Sequence, residues 1–485
     1  MSENFITIDD LKKKIYYYNK KNWPIIEKAY NYALKFHTGQ KRESGEDYIL
    51  HPLNVAYILS CMHADSDTIC AALLHDTIED TEFTYDEIKK EFNETIAYLV
   101  DGVTKISKMK LDNKDYITAS NLRRIIVSIR EDARIVIIKL VDRLHNMRTL
   151  EYKSKKRQQA IALETIEFYV PMAYYIGAYY IKDELENISF KYLKSDLYEE
   201  LSKKLQVIKQ DNKKMLVKMM NEVKKLLNQE GIKCSLELRF KDTYSVYKKM
   251  ITKSTIDNIH DLLGINIVVK NNRDCYLALM YIHSLYPPVS YKFKDYIVKP
   301  KTNMYQALHT TVFANNDRLV QFQIRTKEME KIAKYGLTSY WFKNRKLAIT
   351  NMQNDLENKY QFFKSIKELD SSIADNIEFV SQIKKELFSR NVYVRSTNGE
   401  VIELPIDATP IDYAYKIHTD LGNTMVAAVV NDEIVPLDYK LKHNDRVRII
   451  TDDKTYVSKD DWLDKTVTHH ARRKIIEFIK EHEEN

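Results

Sequence analysis

The sequence predicts a multidomain protein with an all-α domain, then an α+β domain, then a small β-grasp-like module. The first prediction rests on apolar residues that recur at three- and four-residue steps, as at Ile26, Ala29, Ala33 and Phe36. The second rests on short β-rich segments among helical ones, at 236–240, 265–269, 309–314 and 319–326. The third rests on closely spaced strand patterns around one helix pattern, at 392–395, 401–405, 410–418, 425–430 and 446–451.

The length of the chain sets the number of domains to expect. At 485 residues it has room for about three domains. Helical spacing continues from 197 to Gly231, and the charged stretch 350–388 shows no apolar core pattern of its own. The predicted order is an all-α domain at 1–190, an α+β domain at 191–345, a helical linker at 346–388, a β-grasp module at 389–452 and a C-terminal helix at 453–485.

Composition excludes several classes of protein. With 44% hydrophobic residues and only 9 glycines, the chain is neither disordered nor collagen-like, and it lacks a Gly-rich dinucleotide loop. The net charge of +7 suits polyphosphate substrates or occasional RNA contact. Four cysteines without CxxC spacing argue against a disulfide framework or a thiolate zinc cluster. Since neither a signal peptide nor an apolar stretch of about 20 residues is present, we expect a cytoplasmic protein without membrane contact.

A run of histidine and carboxylate residues in the all-α domain predicts a metal site. If 75–80 is helical, His75 lies one turn from Glu79 and Asp76 lies one turn from Asp80. His51 and Asp142 are the distant candidates that would complete the metal shell. Such a mixed nitrogen and oxygen set suits Mn²⁺, Fe²⁺ or Zn²⁺, and leaves the Glu79–Asp80 pair to orient or deprotonate a water. The alternative is an ordinary surface ion pair.

Basic residues of the α+β domain predict a site for a nucleotide with several phosphates. The cations are accompanied by an aromatic ring, Tyr305, on which a base could stack. The alternative is a solvated basic face. The residues of this pattern are Arg239, Lys241, Ser245, Lys249, Lys292, Lys294, Lys299, Lys301, Asn303, Tyr305 and His309. Strand alternation in 319–325 places a further polar face at Gln321, Gln323 and Arg325.

Several runs of residues carry a family resemblance. The all-α domain reads AALLHDTIEDT at 71–81 and KLVDRLHNMRTL at 139–150. The α+β domain reads DYIVKPK at 295–301 and QIRT at 323–326, and the β-grasp module contains Ala408-Thr409-Pro410. Together these runs resemble the long Rel/Spo alarmone synthetase–hydrolases over essentially the whole chain. The resemblance implies an all-α HD-type phosphohydrolase domain, an α+β nucleotidyltransferase-like synthetase domain and a small TGS domain.

For the first domain the resemblance implies an enzyme that removes the 3′-pyrophosphate from guanosine tetra- and pentaphosphate with Mn²⁺. The implied Mn²⁺ ligands are His51, His75, Asp76 and Asp142. The pair that handles the water is Glu79 and Asp80. The residues that would hold the guanosine part or its phosphates are Arg42, Tyr48, Asn146 and Thr149.

For the second domain the resemblance implies transfer of a pyrophosphoryl group from ATP to GDP or GTP. Asp261 matches a Mg²⁺-binding carboxylate, Tyr305 the ring that stacks on guanine, and the Arg/Lys set the ATP phosphate contacts. Two departures matter, since Gln321 stands where the family has Glu and Asn266 where it has Arg. An amide can neither take a proton nor bind Mg²⁺ well, so we expect a weak or inactive synthetase domain.

For the third domain the resemblance implies contact with tRNA on the ribosome, at a position matched by His418. The alternative is a module that serves only for packing. The family's later C-terminal modules are expected to be absent. The sequence thus favours a hydrolase of guanosine 3′-polyphosphates. A fully bifunctional synthetase–hydrolase that tolerates Gln321, and a non-catalytic tRNA- or ribosome-associated regulator, remain the alternatives.

Overall fold

The computed structural model describes residues 6–107, 123, 132–253, 259, 261–298, 300, 305–314, 318–336, 369–387, 391–452, 459 and 461–483. The chain divides into two compact units. The first comprises Met1–Met109 and Ser128–Gln361, and the second comprises Lys110–Val127 and Phe362–Asn485.

The first unit begins with an all-α region, as the sequence predicts. Its helices pack around buried aliphatic residues, and α3, α4 and α8 contact one another. The helices are Ile8–Asn19 (α1), Trp23–Phe36 (α2), Leu50–Cys61 (α3), Ser66–Leu74 (α4), Thr77–Asp80 (α5), Tyr85–Glu91 (α6), Glu94–Ser107 (α7), Ala133–Arg148 (α8), Lys155–Glu164 (α9), Val170–Tyr175 (α10) and Tyr179–Leu193 (α11).

The run that begins at His75 differs from the expected single helix. Asp65 caps α4, as its side chain accepts a hydrogen bond from the Thr68 backbone, and α4 then ends at Leu74. His75 and Asp76 occupy the turn before the short helix α5. The turn lets the two consecutive side chains reach the same point, whereas successive residues of a continuous helix diverge by about 100°.

The α+β region of the first unit follows a long helix. Its members are Ser195–Gln229 (α12), Ser235–Phe240 (β1), Thr243–Lys253 (α13), Leu263–Val269 (β2), Asn272–Leu285 (α14), Lys294–Asp295 (β3), Leu308–Phe313 (β4), Leu319–Thr326 (β5) and Lys327–Tyr335 (α15). Gly231 stops α12 with φ +73°, a left-handed conformation that glycine adopts without strain. The buried side chains of Leu227 and Ile232 flank this stop, and the Ile232 N–H donates to the Leu227 carbonyl.

The sheet of this region has the strand order β1-β2-β5-β4-β3. The β2–β5 pair is parallel and the other pairs are antiparallel. Four of these strands coincide within two residues with the predicted ones; β3, only two residues long, has no pattern that could reveal it. The inner residues of the sheet pack with α12 and α14 in one apolar cluster that includes Val223, Ile265, Ile282 and Phe322.

The second unit contains a mixed five-stranded sheet of order β7-β6-β10-β8-β9, in which β6 and β10 are parallel. Its elements are Asn376–Leu387 (α16), Asn391–Ser396 (β6), Val401–Pro405 (β7), Pro410–Ile417 (α17), Thr419–Asn423 (α18), Met425–Val430 (β8), Glu433–Val435 (β9), Arg446–Thr451 (β10), Trp462–Lys465 (α19) and His469–Glu483 (α20).

Two segments of this unit differ from the sequence expectation. The segment 346–388 is predicted to be a linker, yet its described part includes the buried Phe379, and the Gln382 amide donates to the Val467 carbonyl. One helix is predicted for 453–485, whereas the described residues form α19 and α20. The chain turns between them because Asp412 accepts the backbone N–H groups of Val467 and Thr468.

None of the helices among the described residues combines the length and the apolar character needed to cross a bilayer.

Candidate functional site

Four side chains of the all-α region converge at the junction of α3, α4 and α8. Nε2 of His51 lies 3.1 Å from Oδ1 of Asp142 and 3.7 Å from Oδ2 of Asp76. Nε2 of His75 lies 3.1 Å from Oδ1 of Asp76 and 3.9 Å from Oδ1 of Asp142. The structure therefore brings together all four residues that the sequence predicts as metal ligands, although they span 92 positions. Ligand atoms of His51, His75 and Asp142 all lie within 4.8 Å of one another.

The donor atoms of this cluster fit a divalent cation. His75 directs Nδ1 to the Ala72 carbonyl at 2.9 Å, and since a carbonyl only accepts, Nδ1 carries the proton. Once His75 has lost its second proton, its Nε2 presents a lone pair toward two carboxylates. This atom is buried, and within the part of the chain that the structure describes it makes no hydrogen bond. A lone pair and carboxylate oxygens that face one another fit a cation of the Mn²⁺, Fe²⁺ or Zn²⁺ type between them.

The charges around the cluster keep the carboxylates ionised. Nζ of Lys139 lies 2.6 Å from Oδ2 of Asp142, and both side chains are buried. Burial would raise the pKa of Asp142, but the Lys139 ammonium and the two imidazoles hold it well below its usual range. Burial opposes the charged form of His75, but Asp76 and Asp142 outweigh it and raise its pKa to about 9. A metal must therefore displace a proton there.

A tyrosine hydroxyl joins the cluster to the acidic pair. Oη of Tyr48 lies 2.8 Å from Oδ2 of Asp76 and 3.1 Å from Oδ2 of Asp80. The ring of Tyr48 stacks on His37 with 4.7 Å between centroids, which fixes the position of the hydroxyl. Asp80 is thereby held beside Asp76, and Glu79 lies at the exposed end of α5.

Three further predicted residues lie on the same side of the cluster. Nη2 of Arg42 donates to Oδ1 of Asn146 at 2.7 Å, and Nδ2 of Asn146 donates to Oδ1 of Asp142 at 2.6 Å. Thr149 follows α8, and its hydroxyl donates to the His145 carbonyl at 3.2 Å. Asn146 thus contacts the cluster directly and Arg42 contacts it through Asn146, while Thr149 bonds to the backbone of the helix that carries Asp142.

The α+β region contains a cavity of about 750 Å³. Its lining includes seven basic and three acidic side chains, so the local charge favours a polyanion. The predicted residues among the lining are Arg239, Lys241, Lys249, Asp261, Lys292, Lys294, Tyr305, His309, Gln321, Gln323 and Arg325. Ser245 is not among them, and its backbone N–H donates to Asp242 instead. Lys299, Lys301 and Asn303 lie outside the described residues.

Two lysines neutralise the predicted Mg²⁺ carboxylate. Nζ of Lys241 and of Lys249 lie 2.7 and 2.5 Å from Oδ2 of Asp261. Burial lowers the pKa of Lys241 to about 8, although Asp261 opposes that shift. Around Asp261 the cavity is therefore more suited to phosphate groups than to a metal held by carboxylates alone.

Gln321 lines the cavity and is hydrogen-bonded within it. Its Oε1 accepts from Nη2 of Arg239 at 2.9 Å and from Nε2 of Gln323 at 3.2 Å. Gly264 permits the first contact, as a Cβ at that position would lie 3.2 Å from Nε of Arg239 and 2.8 Å from the Gln321 carbonyl. Asn266 also lines the cavity, and its buried Oδ1 has no hydrogen-bond partner among the described residues.

Tyr305 is surrounded by polar and aromatic groups. Its Oη lies 2.7 Å from Nε2 of His309, and the Arg325 guanidinium lies 5.6 Å from its ring centroid. Tyr179, at the start of α11, meets the ring edge-on with 6.1 Å between centroids.

Several site residues escape the sequence patterns. Lys139 lies one helical turn before Asp142, and this spacing could have identified it from the sequence as a partner of Asp142. His145 contacts His51 from within the quoted run 139–150. Tyr179, Tyr180 and Asp183 line the cavity from a helix 56 to 60 positions before Arg239, the nearest predicted residue of this cavity, so no local pattern could reveal them.

His418 lies in the second unit between α17 and α18. Its side chain is 68% exposed, and its Nδ1 accepts a hydrogen bond from the Asp420 backbone at 3.3 Å. The predicted tRNA-contact residue is thus on the surface, where it caps a short helix.

Three family models match successive parts of the chain. The HD domain matches residues 29–178, the region found in RelA / SpoT proteins matches 238–346, and the TGS domain matches 376–451. A helical HD domain with a buried His/Asp cluster, a mixed-sheet region of the kind found in RelA / SpoT proteins and a TGS domain define a multidomain protein.

Relatives that align over nearly the whole chain give the family. The chain is 41% identical over 478 residues to a guanosine-3′,5′-bis(diphosphate) 3′-pyrophosphohydrolase of Aquifex aeolicus, covering 98% of this chain and 67% of that protein. It is 40% identical over 461 residues to a GTP pyrophosphokinase of Myxococcus xanthus, covering 94% of this chain and 60% of that protein. The chain spans about three fifths to two thirds of the length of these relatives. It belongs to the Rel/Spo family.

Proposed function

We propose that the all-α domain, assigned to residues 1–190, hydrolyses guanosine 3′-polyphosphates and releases pyrophosphate. The single observation that carries this proposal is the convergence of His51, His75, Asp76 and Asp142 around one point. The relative from Aquifex aeolicus is named for the same reaction. The substrates are guanosine tetra- and pentaphosphate, and the metal is Mn²⁺.

A divalent cation in the cluster supplies two things when bound: it lowers the pKa of a water and polarises a phosphoryl oxygen. The chain's own residues do the rest. Asp80 is held 3.1 Å from the Tyr48 hydroxyl, within reach of a water beside Asp76, and with Glu79 it accepts the proton of that water. The water oxygen bonds to the phosphorus attached to the 3′ oxygen, the bond to that oxygen breaks, and the 3′ oxygen takes up a proton.

Arg42, Tyr48, Asn146 and Thr149 are the residues we assign to the substrate. Arg42 carries a guanidinium that can pair with phosphate oxygens in a bidentate manner. Its contact with Asn146 places that charge next to the cluster, on the side where the departing pyrophosphate would lie.

We further propose that the synthetase-like domain, assigned to residues 191–345, binds nucleotides but transfers pyrophosphate from ATP slowly or not at all. Gln321 has neither the charge nor the basicity of a carboxylate, and its oxygen is engaged by Arg239. Asn266 supplies no cation to the phosphates. The basic cavity favours retention of nucleotide binding, for GDP, GTP or ATP with Mg²⁺.

A second candidate function is the full synthetase–hydrolase. The basic lining of the cavity and Tyr305 favour it, and the relative from Myxococcus xanthus is named GTP pyrophosphokinase. For the TGS domain, assigned to residues 389–452, we propose contact with tRNA or the ribosome through His418, whose exposure permits it. The remaining alternative, a non-catalytic regulator, does not account for the buried His/Asp cluster.

A two-way assay on the purified protein tests these proposals. Hydrolysis of guanosine tetraphosphate is measured with Mn²⁺ and with EDTA, and synthesis is measured from ATP and GDP with Mg²⁺. We expect hydrolysis that requires Mn²⁺ and disappears in His75→Ala, together with little synthesis. A matched control is His283→Ala, since His283 lies on α14 and bonds to Thr310, away from the cluster. Rapid synthesis would favour the bifunctional enzyme, and absence of both activities would favour the regulator.

A further inference from the structure

His145 lies on α8, one helical turn after Asp142, and it also contacts His51. Its Nδ1 is 2.8 Å from Nδ1 of His51 and 3.2 Å from Nη1 of Arg42. The side chain is nearly buried, with 9% of the residue exposed. None of the roles assigned above includes this residue.

The contact with Arg42 decides which histidine nitrogen carries the proton. A guanidinium has only donors, so Nδ1 of His145 must be the acceptor in that contact and cannot carry a proton. The same atom faces Nδ1 of His51 at 2.8 Å, and two lone pairs cannot face each other at this distance. Nδ1 of His51 therefore carries the proton and donates a hydrogen bond to Nδ1 of His145, whose single lone pair it shares with the Arg42 guanidinium in a three-centre arrangement.

This tautomer leaves Nε2 of His51 with a lone pair. Nε2 points into the cluster, 3.1 Å from Oδ1 of Asp142 and 3.7 Å from Oδ2 of Asp76. The arrangement matches that of His75, whose Nδ1 is held by the Ala72 carbonyl. The two imidazoles thus direct the same nitrogen to the same carboxylates, one held by a backbone group and one by a side chain.

We propose that His145 is a positioning residue, which fixes His51 in the tautomer and ring orientation needed to bind the metal ion. The inference rests on the metal site of the proposed function. A hydrogen-bond partner behind a ligating imidazole typically contributes 10- to 100-fold in metal affinity. Because the partner of His51 is a side chain, its contribution can be removed by substitution. The partner of His75 is a backbone carbonyl, whose contribution cannot be removed in this way.

The test compares two substitutions at His145 in the full chain. Asn keeps an acceptor, since its Oδ1 occupies the place of Nδ1, while Leu has similar bulk and no acceptor. Free Mn²⁺ is measured by electron paramagnetic resonance during titration of each protein, without nucleotide. We expect His145→Leu to weaken Mn²⁺ binding about 10- to 100-fold and His145→Asn to stay within about threefold of the parent chain. Equal affinities in the Leu and Asn variants would overturn the proposal.

A second measurement does not depend on the folding of a variant. In the parent chain without metal, ¹⁵N shifts of the imidazole of His51 report which nitrogen carries the proton, with His51→Gln used to assign the signal. A proton on Nδ1 supports the proposal, and a proton on Nε2 overturns it. Both readouts concern the His51 side chain and the affinity for Mn²⁺. A parent chain that binds Mn²⁺ but fails to hydrolyse the tetraphosphate would therefore refute the proposed function and leave this inference intact.

Discussion

The guanidinium of Arg239 donates a hydrogen bond to the side chain of Gln321, with 2.9 Å between Nη2 and Oε1. In this pair a cation of the synthetase-like cavity is hydrogen-bonded to a neutral amide. A carboxylate at position 321 would pair with the same guanidinium and would also restore a group able to take a proton from the attacking hydroxyl.

We therefore predict that Gln321→Glu raises synthesis of the tetraphosphate from ATP and GDP. General acid–base groups contribute about 10²- to 10⁴-fold in rate, and we expect an increase of about 10²-fold because Asn266 still lacks the cation. Product formation from labelled ATP is the measurement. Gln323→Glu is the matched control, since it adds the same charge on the same face of β5 and should give no comparable rise. An unchanged rate in Gln321→Glu would show that another departure limits synthesis.

Nucleotide binding in this cavity should weaken as pH rises through about 8. Burial lowers the pKa of Lys241 to about 8, so about nine-tenths of its positive charge is present at pH 7 and most of it is lost at pH 9. If a phosphate needs that charge, affinity falls by up to about tenfold between these two pH values. Titration with a fluorescent GDP analogue measures it. Lys241→Arg keeps the charge and should bind equally well at pH 7 and 9. A pH-independent affinity in the parent chain would contradict the prediction.

The contribution of Lys241 to folding stability changes with pH in the opposite direction to its contribution to nucleotide binding. The unfolded chain binds a proton at lysine up to about pH 10.4, whereas the folded chain releases it at about pH 8. Between these values the unfolded state holds more protons, so the contribution of this residue to stability rises with pH. Loss of binding from pH 7 to 9 therefore cannot be attributed to unfolding caused by Lys241.

Removal of the Tyr48 hydroxyl should uncouple the acidic pair, Glu79 and Asp80, from the metal ligands. In Tyr48→Phe the ring can still stack on His37, but Asp76 and Asp80 lose a shared donor. Hydrogen bonds to charged groups contribute about 1.5–3 kcal/mol, so we expect the rate of hydrolysis to fall about 10- to 100-fold. Mn²⁺ affinity should change much less. The matched control is Tyr57→Phe, on the buried helix α3. Equal rates in both variants would rule out this role of Tyr48.

Local patterns reveal the site residues whose neighbours in sequence share their chemistry. His75, Asp76, Glu79 and Asp80 stand in one run, and this density alone draws attention to them. The same run conceals the helix break at His75, because its residues suit a continuous helix as well as a turn. At the break His75 and Asp76 approach Asp142 and His51, and periodicity does not record such contacts.

Long-range contacts explain the residues that were missed. Asp183 reaches the synthetase-like cavity from α11, and its own surroundings in sequence are those of an ordinary amphipathic helix. His145 belongs to a quoted run, but its role depends on which atom of Arg42, about 100 positions earlier, faces it. In both cases the decisive information is the approach of segments that are distant in sequence, and only the structure contains it.

Asp412 joins two helices of the second unit, and its removal should loosen the C-terminal helix α20. This carboxylate is 1% exposed and accepts the backbone N–H groups of Thr409 at 2.9 Å, Val467 at 3.1 Å and Thr468 at 2.8 Å. In Asp412→Ala these donors, one buried and two partly buried, lose their partner, and a buried one costs about 1–3 kcal/mol when left unsatisfied. We expect local opening of residues 466–483 to become easier by about 3 kcal/mol.

Hydrogen–deuterium exchange of the intact chain measures this opening. A change of about 3 kcal/mol corresponds to exchange roughly 10²-fold faster in peptides from 466–483. Asp420→Ala is the matched control, because Asp420 pairs with His418 at a surface site where its side chain is 82% exposed. Exposed pairs contribute less than about 1 kcal/mol, so exchange of the same peptides should barely change. If Asp412→Ala left them equally protected, water or neighbouring groups would have to satisfy the three N–H groups, and Asp412 would not hold α20 in place.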